Sequence, residues 1–86
     1  MNLFVASIYP EALDTLKVPV WYNPDLKILK SEVLRIITTQ MFGVISKLWW
    51  EVDGAWEINF YTIDHVMRRR YSKYVIEEIY PLGEME

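Results

Sequence analysis

The chain has 86 residues with a net charge of −3, no cysteine, 52% hydrophobic residues and 15% aromatic residues. This length predicts one domain, residues 1–86, and the aromatic content excludes a disordered chain. The lack of cysteine excludes disulfides, thiolate metal sites and cysteine nucleophiles, and it favours a reducing, cytoplasmic (intracellular) location. The acidic balance argues against a non-specific nucleic-acid binder.

Neither end of the sequence predicts export or membrane insertion. The N-terminal residues lack the basic and apolar pattern of a signal peptide. The longest apolar run, Met41–Ile45, is far shorter than the ~20 residues that a membrane span needs. We therefore expect no membrane partner.

The first third of the chain predicts two strands. Residues 3–9 are short, apolar and partly β-branched, and Pro10 ends them. Residues 10–16 fit either a helical turn or a wide hairpin loop. Residues 17–22 alternate in hydrophobicity and contain Pro19, whose missing N–H places this strand at a sheet edge.

A helix is predicted next, beginning at Asn23-Pro24-Asp25, where a side-chain cap, an N-terminal proline and an acidic residue favour helix initiation. A rival start lies at Ser31-Glu32 and would shorten the helix to about three turns. Gly43 suits the left-handed residue that ends a helix. The apolar stripe at helical spacing consists of Leu26, Leu29, Val33, Ile36, Ile37 and Met41.

The clearest local pattern is Asp53-Gly54 between two β-rich runs, which predicts a two-residue type I′ hairpin. In that register Val52 faces Ala55, Trp50 faces Glu57 and Trp49 faces Ile58. Because side chains alternate across a sheet, one face becomes the core. The predicted core face carries Trp49, Trp56, Ile58 and Phe60. The other face, a predicted partner-binding surface, carries Leu48, Trp50, Val52, Ala55, Glu57, Asn59 and Tyr61.

The last third leaves two alternatives. The preferred prediction is a short helix over 63–73, capped by Thr62 or Asp64, followed by a strand over 74–80. The alternative is one long strand that pairs back on 55–62. The preferred fold is therefore a small single-domain α+β sandwich, with a mainly antiparallel sheet of about five strands and two helices on one face, ferredoxin-like or related.

No residue pattern indicates catalysis, a cofactor or a metal site. His65 is the only histidine, and its neighbour Asp64 suits helix capping better than a catalytic triad. Glu51 and Glu57 point to opposite faces of the predicted hairpin, so they cannot act as a carboxylate pair. Neither metal-ligand spacing nor a glycine-rich phosphate loop is present. We expect a protein that is not an enzyme.

Arg68, Arg69 and Arg70, with Lys73, form the densest basic segment, and Tyr71 lies within it. Guanidinium groups bind phosphates and carboxylates, while tyrosine rings can stack on bases. Three interpretations remain open: a solvated or self-paired face, an acidic protein partner, and a nucleic acid. The segment with which self-pairing would occur is acidic and contains Glu77, Glu78, Glu84 and Glu86.

The favoured function is a non-catalytic protein-interaction module, such as a small adaptor, regulator or inhibitor, that binds through an aromatic sheet face. Its partner can be a second copy in a homodimer, and the size of the chain suits a viral or phage accessory protein. The alternative is a nucleic-acid-binding module that uses 68–70, Lys73, Tyr71 and Tyr74, and the third is a small enzyme without a recognisable motif. The predicted interaction residues are Trp50, Val52, Tyr61, Arg68, Arg69, Arg70, Tyr71 and Lys73.

Overall fold

The computed structural model describes residues 3–10 and 17–79. One helix, α1 (Leu26–Arg35), continues into a π-helical turn (Ile36–Gln40). The expected turn or loop over 10–16 lies, apart from Pro10, outside the described residues. The five strands are β1 (Leu3–Tyr9), β2 (Val18–Asn23), β3 (Val44–Val52), β4 (Ala55–Ile63) and β5 (Arg69–Ile79).

The strands form one sheet in the order β2-β1-β5-β4-β3, and every neighbouring pair is antiparallel. β2 and β3, which flank the helix in sequence, are the two opposite edges, and Pro19 lies in an edge strand as predicted. The helix and its π-helical turn comprise 15 residues, roughly 22 Å at the rise of an α-helix. Five strands at about 4.8 Å spacing span a similar width, so one helix can cross the whole sheet.

The core lies between this helix and the sheet. Leu29, Val33 and Ile37 are buried on the helix side. They pack with side chains from the three central strands, which are Ala6, Ile58, Phe60, Tyr74 and Ile76. Burying one such aliphatic side chain stabilises the fold by about 1.5–3 kcal/mol. The predicted apolar stripe is therefore correct, although Ile36 is only partly buried.

The helix begins directly after the predicted segment Asn23-Pro24-Asp25, but the capping residue is Asp25 and not Asn23. The Asp25 carboxylate accepts hydrogen bonds from the backbone N–H groups of Lys27 and Ile28, at 2.9 and 3.2 Å. The Asn23 side chain accepts the N–H of Asp25 at 2.7 Å. The rival start at Ser31 is wrong, because these side chains satisfy amides that an α-helix leaves without partners.

The helix does not end as predicted. Phe42, not Gly43, has the positive φ of 53°. Gly43 is needed for space, because a Cβ atom there would lie 2.7 Å from Ile37 Cγ2 and 3.1 Å from Phe60 Cδ2. The glycine thus lets the chain turn closely against the core as it enters β3.

The β3–β4 hairpin forms as predicted at its turn. Asp53 and Gly54 both have positive φ, 51° and 81°, as a type I′ turn requires. Val52 pairs with Ala55, and Trp50 pairs with Glu57. The expected pairing of Trp49 with Ile58 falls within a register irregularity between Lys47 and Trp50.

The predicted second helix over 63–73 is wrong. That segment contains the end of β4, a loop over 64–68 and the start of β5. β5 pairs with β4 along a continuous register, in which Arg69 faces Ile63 at one end and Ile76 faces Trp56 at the other. The alternative of a long strand that pairs back on β4 is correct for Arg69–Ile79, and the preferred strand over 74–80 covers only part of it. Val66 and Met67 are 51% and 81% exposed, so no helical apolar face is buried here.

This finding overturns the predicted two-helix, ferredoxin-like sandwich. The described residues form a five-stranded antiparallel sheet with one helix, so the second β–α–β connection does not exist. The connection from β4 to β5 is a tight loop between neighbouring antiparallel strands. The domain is mainly sheet.

We expect Ile37→Ala to lower the free energy of unfolding by about 2–5 kcal/mol, because Ile37 is fully buried under the helix. Ile28→Ala on the same helix is the matched control, since Ile28 is 50% exposed. Urea unfolding curves measure both changes. Equal effects of the two substitutions would contradict the packing described here.

We expect Gly54→Val to destabilise the fold by roughly 1 kcal/mol or more, because a β-branched residue resists positive φ. Gly54→Asn is the control, as asparagine tolerates that conformation. The space around Gly54 is open, so a steric clash would not explain a difference. Denaturant curves in which valine and asparagine behave alike would reject the turn conformation as the cause.

Candidate interaction surface

The sheet face opposite α1 is here called the open face, because in the described part of the chain the helix packs against the other side only. One row of facing residues crosses all five strands of the open face. It runs through Pro19, Ser7, Val75, Glu57 and Trp50. Side-chain alternation separates this row from the core residues on the opposite face.

Trp50 lies on the open face, as the hairpin register predicted, and it does not belong to the core cluster. The ring is half-buried, and the Lys47 ammonium lies 3.5 Å from the ring centroid. Its indole Nε1 is buried without a hydrogen-bond partner among residues 3–10 and 17–79, as is Ser7 Oγ in the same row. Such a group costs about 1–3 kcal/mol when it is left unsatisfied.

Trp49 and Trp56 occupy the opposite face, also as predicted. Both pack against the core cluster. The Lys30 ammonium of α1 lies 3.4 Å from the centroid of the Trp56 ring and 5.9 Å from that of Trp49. Trp49 and Trp50, which are adjacent in β3, therefore lie on opposite faces of the sheet.

The middle of the open face is largely covered, because Val75 and Ser7 of the central row are buried, as is Val5 on β1. Lys73 lies 3.5 Å from the Glu57 carboxylate, and both side chains are largely covered. The same ammonium is 5.0 Å from the ring centroid of Tyr9. Lys73 is thus placed among the central strands, apart from Arg68 and Arg69. Val52 lies beside the hairpin turn, half-buried opposite Ala55.

At one end of the open face, aromatic rings surround Arg69. We call the end of β4, the loop over 64–68, the start of β5 and the neighbouring start of β3 the arginine end. The Arg69 guanidinium carbon lies 4.5 Å from the Tyr61 ring centroid, and the rings of Tyr61 and Tyr71 are 5.5 Å apart. A hydrogen bond with Tyr71 raises the pKa of Arg69, so the guanidinium stays charged.

Asp64 organises the loop of the arginine end. Its carboxylate accepts the backbone N–H groups of Val66 and Arg68 at 3.0 and 2.9 Å. It also accepts the side-chain Nε–H of Arg68 at 3.3 Å and that of Arg70 at 3.0 Å. The backbone hydrogen bond from Arg68 is the main cause that lowers the pKa of Asp64. Asp64 therefore caps a loop and not the helix that the sequence suggested.

The structure divides the basic segment between two environments. Arg68 and Arg70 contact Asp64, whereas Arg69 contacts the tyrosines of the open face. Tyr74 is buried in the core, where its ring stacks on Phe60 at 5.7 Å. Burial raises the pKa of its phenol. Tyr74 is therefore unavailable for stacking on a base.

The arginine end carries several exposed apolar side chains. Five of the eleven exposed large apolar residues in the described part of the chain lie here. They are Val44, Ile63, Val66, Met67 and Tyr71. Val44 belongs to this end because it faces Tyr61, which in turn faces Tyr71.

Ile63, Val66 and Met67 were not among the predicted interaction residues, because 63–73 was assigned to a helix. The sequence does contain a pattern that predicts a hairpin here. Alternate positions on the two sides of a short loop are occupied by Tyr61 and Ile63 before it and by Arg69 and Tyr71 after it.

The predicted acidic segment is only partly within the described residues. Glu77 pairs with Lys17, and Glu78 is exposed. Glu84 and Glu86 lie outside the described residues. The expected ion pair between the arginines and Glu77 is therefore wrong, because Glu77 pairs with Lys17 instead.

Among residues 3–10 and 17–79 there is no pocket and no group of three or more potential metal ligands. No helix within these ranges is long and apolar enough to cross a membrane. No protein-family model, curated protein or solved structure matches the chain.

We expect Asp64→Asn to destabilise the protein at neutral pH, with a deficit that shrinks on acidification. Because the pKa of Asp64 is lower in the folded protein than in the unfolded chain, where it is near 3.8, the ionised carboxylate stabilises the fold at pH values above 3.8. This stabilisation is lost as the pH falls through the pKa of Asp64 in the folded protein. Urea unfolding at several pH values down to about pH 3 measures the difference. Asp53→Asn controls for the loss of one negative charge. A deficit that is independent of pH would contradict the role of the carboxylate.

Proposed function

We propose that this protein is a non-catalytic protein-interaction module, a small adaptor, regulator or inhibitor that binds a protein through its open face. The observation that carries this proposal is the set of exposed apolar side chains at the arginine end of the open face. In the described residues α1 covers one face, whereas the other bears Trp50 and, at the arginine end, clustered exposed apolar side chains. Clustered exposed apolar side chains are characteristic of interaction sites.

The chemistry of the open face suits a protein partner. Tryptophan, tyrosine, methionine and arginine are enriched at protein interfaces, and all four occur here. Among the described residues the buried Trp50 indole N–H has no acceptor, and a buried donor without an acceptor is costly. Trp50 is therefore the proposed anchor, and Tyr61, Arg69 and Tyr71 extend the contact toward the arginine end.

A nucleic-acid partner is the second candidate, favoured by the cluster of Arg69, Tyr61 and Tyr71. A protein partner is preferred, because Tyr74 is buried and Asp64 contacts Arg68 and Arg70. The cysteine-free composition supports an intracellular location for either partner.

We expect Trp50→Ala to weaken capture of the partner by ~2 kcal/mol, about thirtyfold, because it truncates the anchor. Cooperative melting of the isolated chain should persist, since Trp50 is outside the core cluster. The measurement compares proteins retained from host lysate by the native chain, by Trp50→Ala and by Ile28→Ala. The last variant changes an exposed apolar residue on the helix and should behave like the native chain.

Nuclease treatment of the lysate separates the two candidate functions. Retention of a defined protein that survives nuclease and depends on Trp50 supports the proposal. Retention that nuclease abolishes would favour the nucleic-acid alternative. Unfolding of Trp50→Ala would place the residue in the core and remove the proposed anchor.

A further inference from the structure

The arginine end combines exposed apolar side chains with positive charge. Val44, Ile63 and Tyr71 are each 46–49% exposed. The Arg68 side chain is 65% exposed, and Arg69 forms no ion pair among the described residues. A complementary ligand therefore needs apolar groups and carboxylates close together.

Residues 80–86 of this chain have that composition. The segment reads Tyr-Pro-Leu-Gly-Glu-Met-Glu and contains no basic residue. Tyr80, Leu82 and Met85 are its apolar side chains, and Glu84 and Glu86 are its carboxylates. Each class of group at the arginine end thus has a counterpart in this segment.

The segment cannot reach the arginine end of its own molecule. Arg69 begins β5 and Ile79 ends it, ten residues later, which is roughly 33 Å along the strand. A chain that leaves Ile79 must first reverse, and a tight turn uses about two residues. The remaining residues up to Glu86 then extend about 17 Å at most, half the distance required.

We propose that the arginine end binds residues 80–86 of a second copy of this chain. The inference rests on the proposed function, because it names the partner for one part of the open face. Glu84 and Glu86 meet Arg68 and Arg69, while Leu82 and Met85 cover the exposed apolar side chains. Reciprocal exchange of the segment closes a dimer, and one-way binding produces an open chain of molecules.

The test is a charge exchange between two full-length variants, measured by sedimentation velocity at low salt. Arg69→Glu reverses the site and keeps the Asp64 contacts of its neighbours. Glu84→Lys with Glu86→Lys reverses the segment. Each variant alone should associate about tenfold more weakly than the native chain, and mixing the two should restore association. Lys27→Glu, an exposed helix position, is the control and should associate normally.

Native association should weaken at ~0.5 M salt, because the contact is partly electrostatic. A native chain that stays monomeric at every concentration would overturn the inference. So would reversed variants that associate normally, or a mixture that shows no restored association. If Arg69→Glu no longer melts cooperatively, Arg69→Gln replaces it as the test variant. Arg69→Gln must then also associate more weakly than the native chain.

These outcomes are separable from failure of the proposed function. Restored association in the mixture, with Trp50→Ala unaffected in lysate capture, keeps the inference and removes Trp50 as anchor. Loss of partner capture in Trp50→Ala, with no effect of charge exchange, keeps the proposed function and overturns the inference.

Discussion

The rest of the structure depends on the packing of one helix across the whole width of the sheet. Leu29, Val33 and Ile37 bury the helix against the central strands. Because α1 connects the two edge strands, it must cross the face that it covers. A single crossing of matching length completes the core on that side. The described residues include no second helix that packs on the open face.

The loop between β4 and β5 decides how that surface is charged. Asp64 holds the loop through backbone hydrogen bonds and draws Arg68 and Arg70 toward itself. Strand alternation then directs Arg69 to the open face, beside Tyr61. One short loop therefore separates three consecutive arginines into two groups. The same loop leaves Met67, with φ of 62°, exposed at its tip.

Local chemistry made much of the fold predictable. The segment Asn23-Pro24-Asp25 located the helix start to within two residues, and Asp53 with Gly54 identified the turn, because each depends on neighbouring residues only. The spacing in 63–73 fits a helix equally well, and only pairing with β4 across the sheet decides for a strand. Alternation placed Trp50 on the correct face. It did not place Tyr74, which was predicted at the start of a strand over 74–80 and offered as a nucleic-acid contact, whereas it lies in the core.

The central claim is that the open face and the arginine end, and not the helix side, mediate binding to protein. Amide chemical shifts of the full chain, followed by NMR as its concentration is raised, test this most directly. The account predicts changes at Val44, Arg69 and Tyr71, with Lys27 and Ile28 on the outer side of α1 unchanged. Changes confined to α1, with Val44 and Arg69 unaffected, would contradict it.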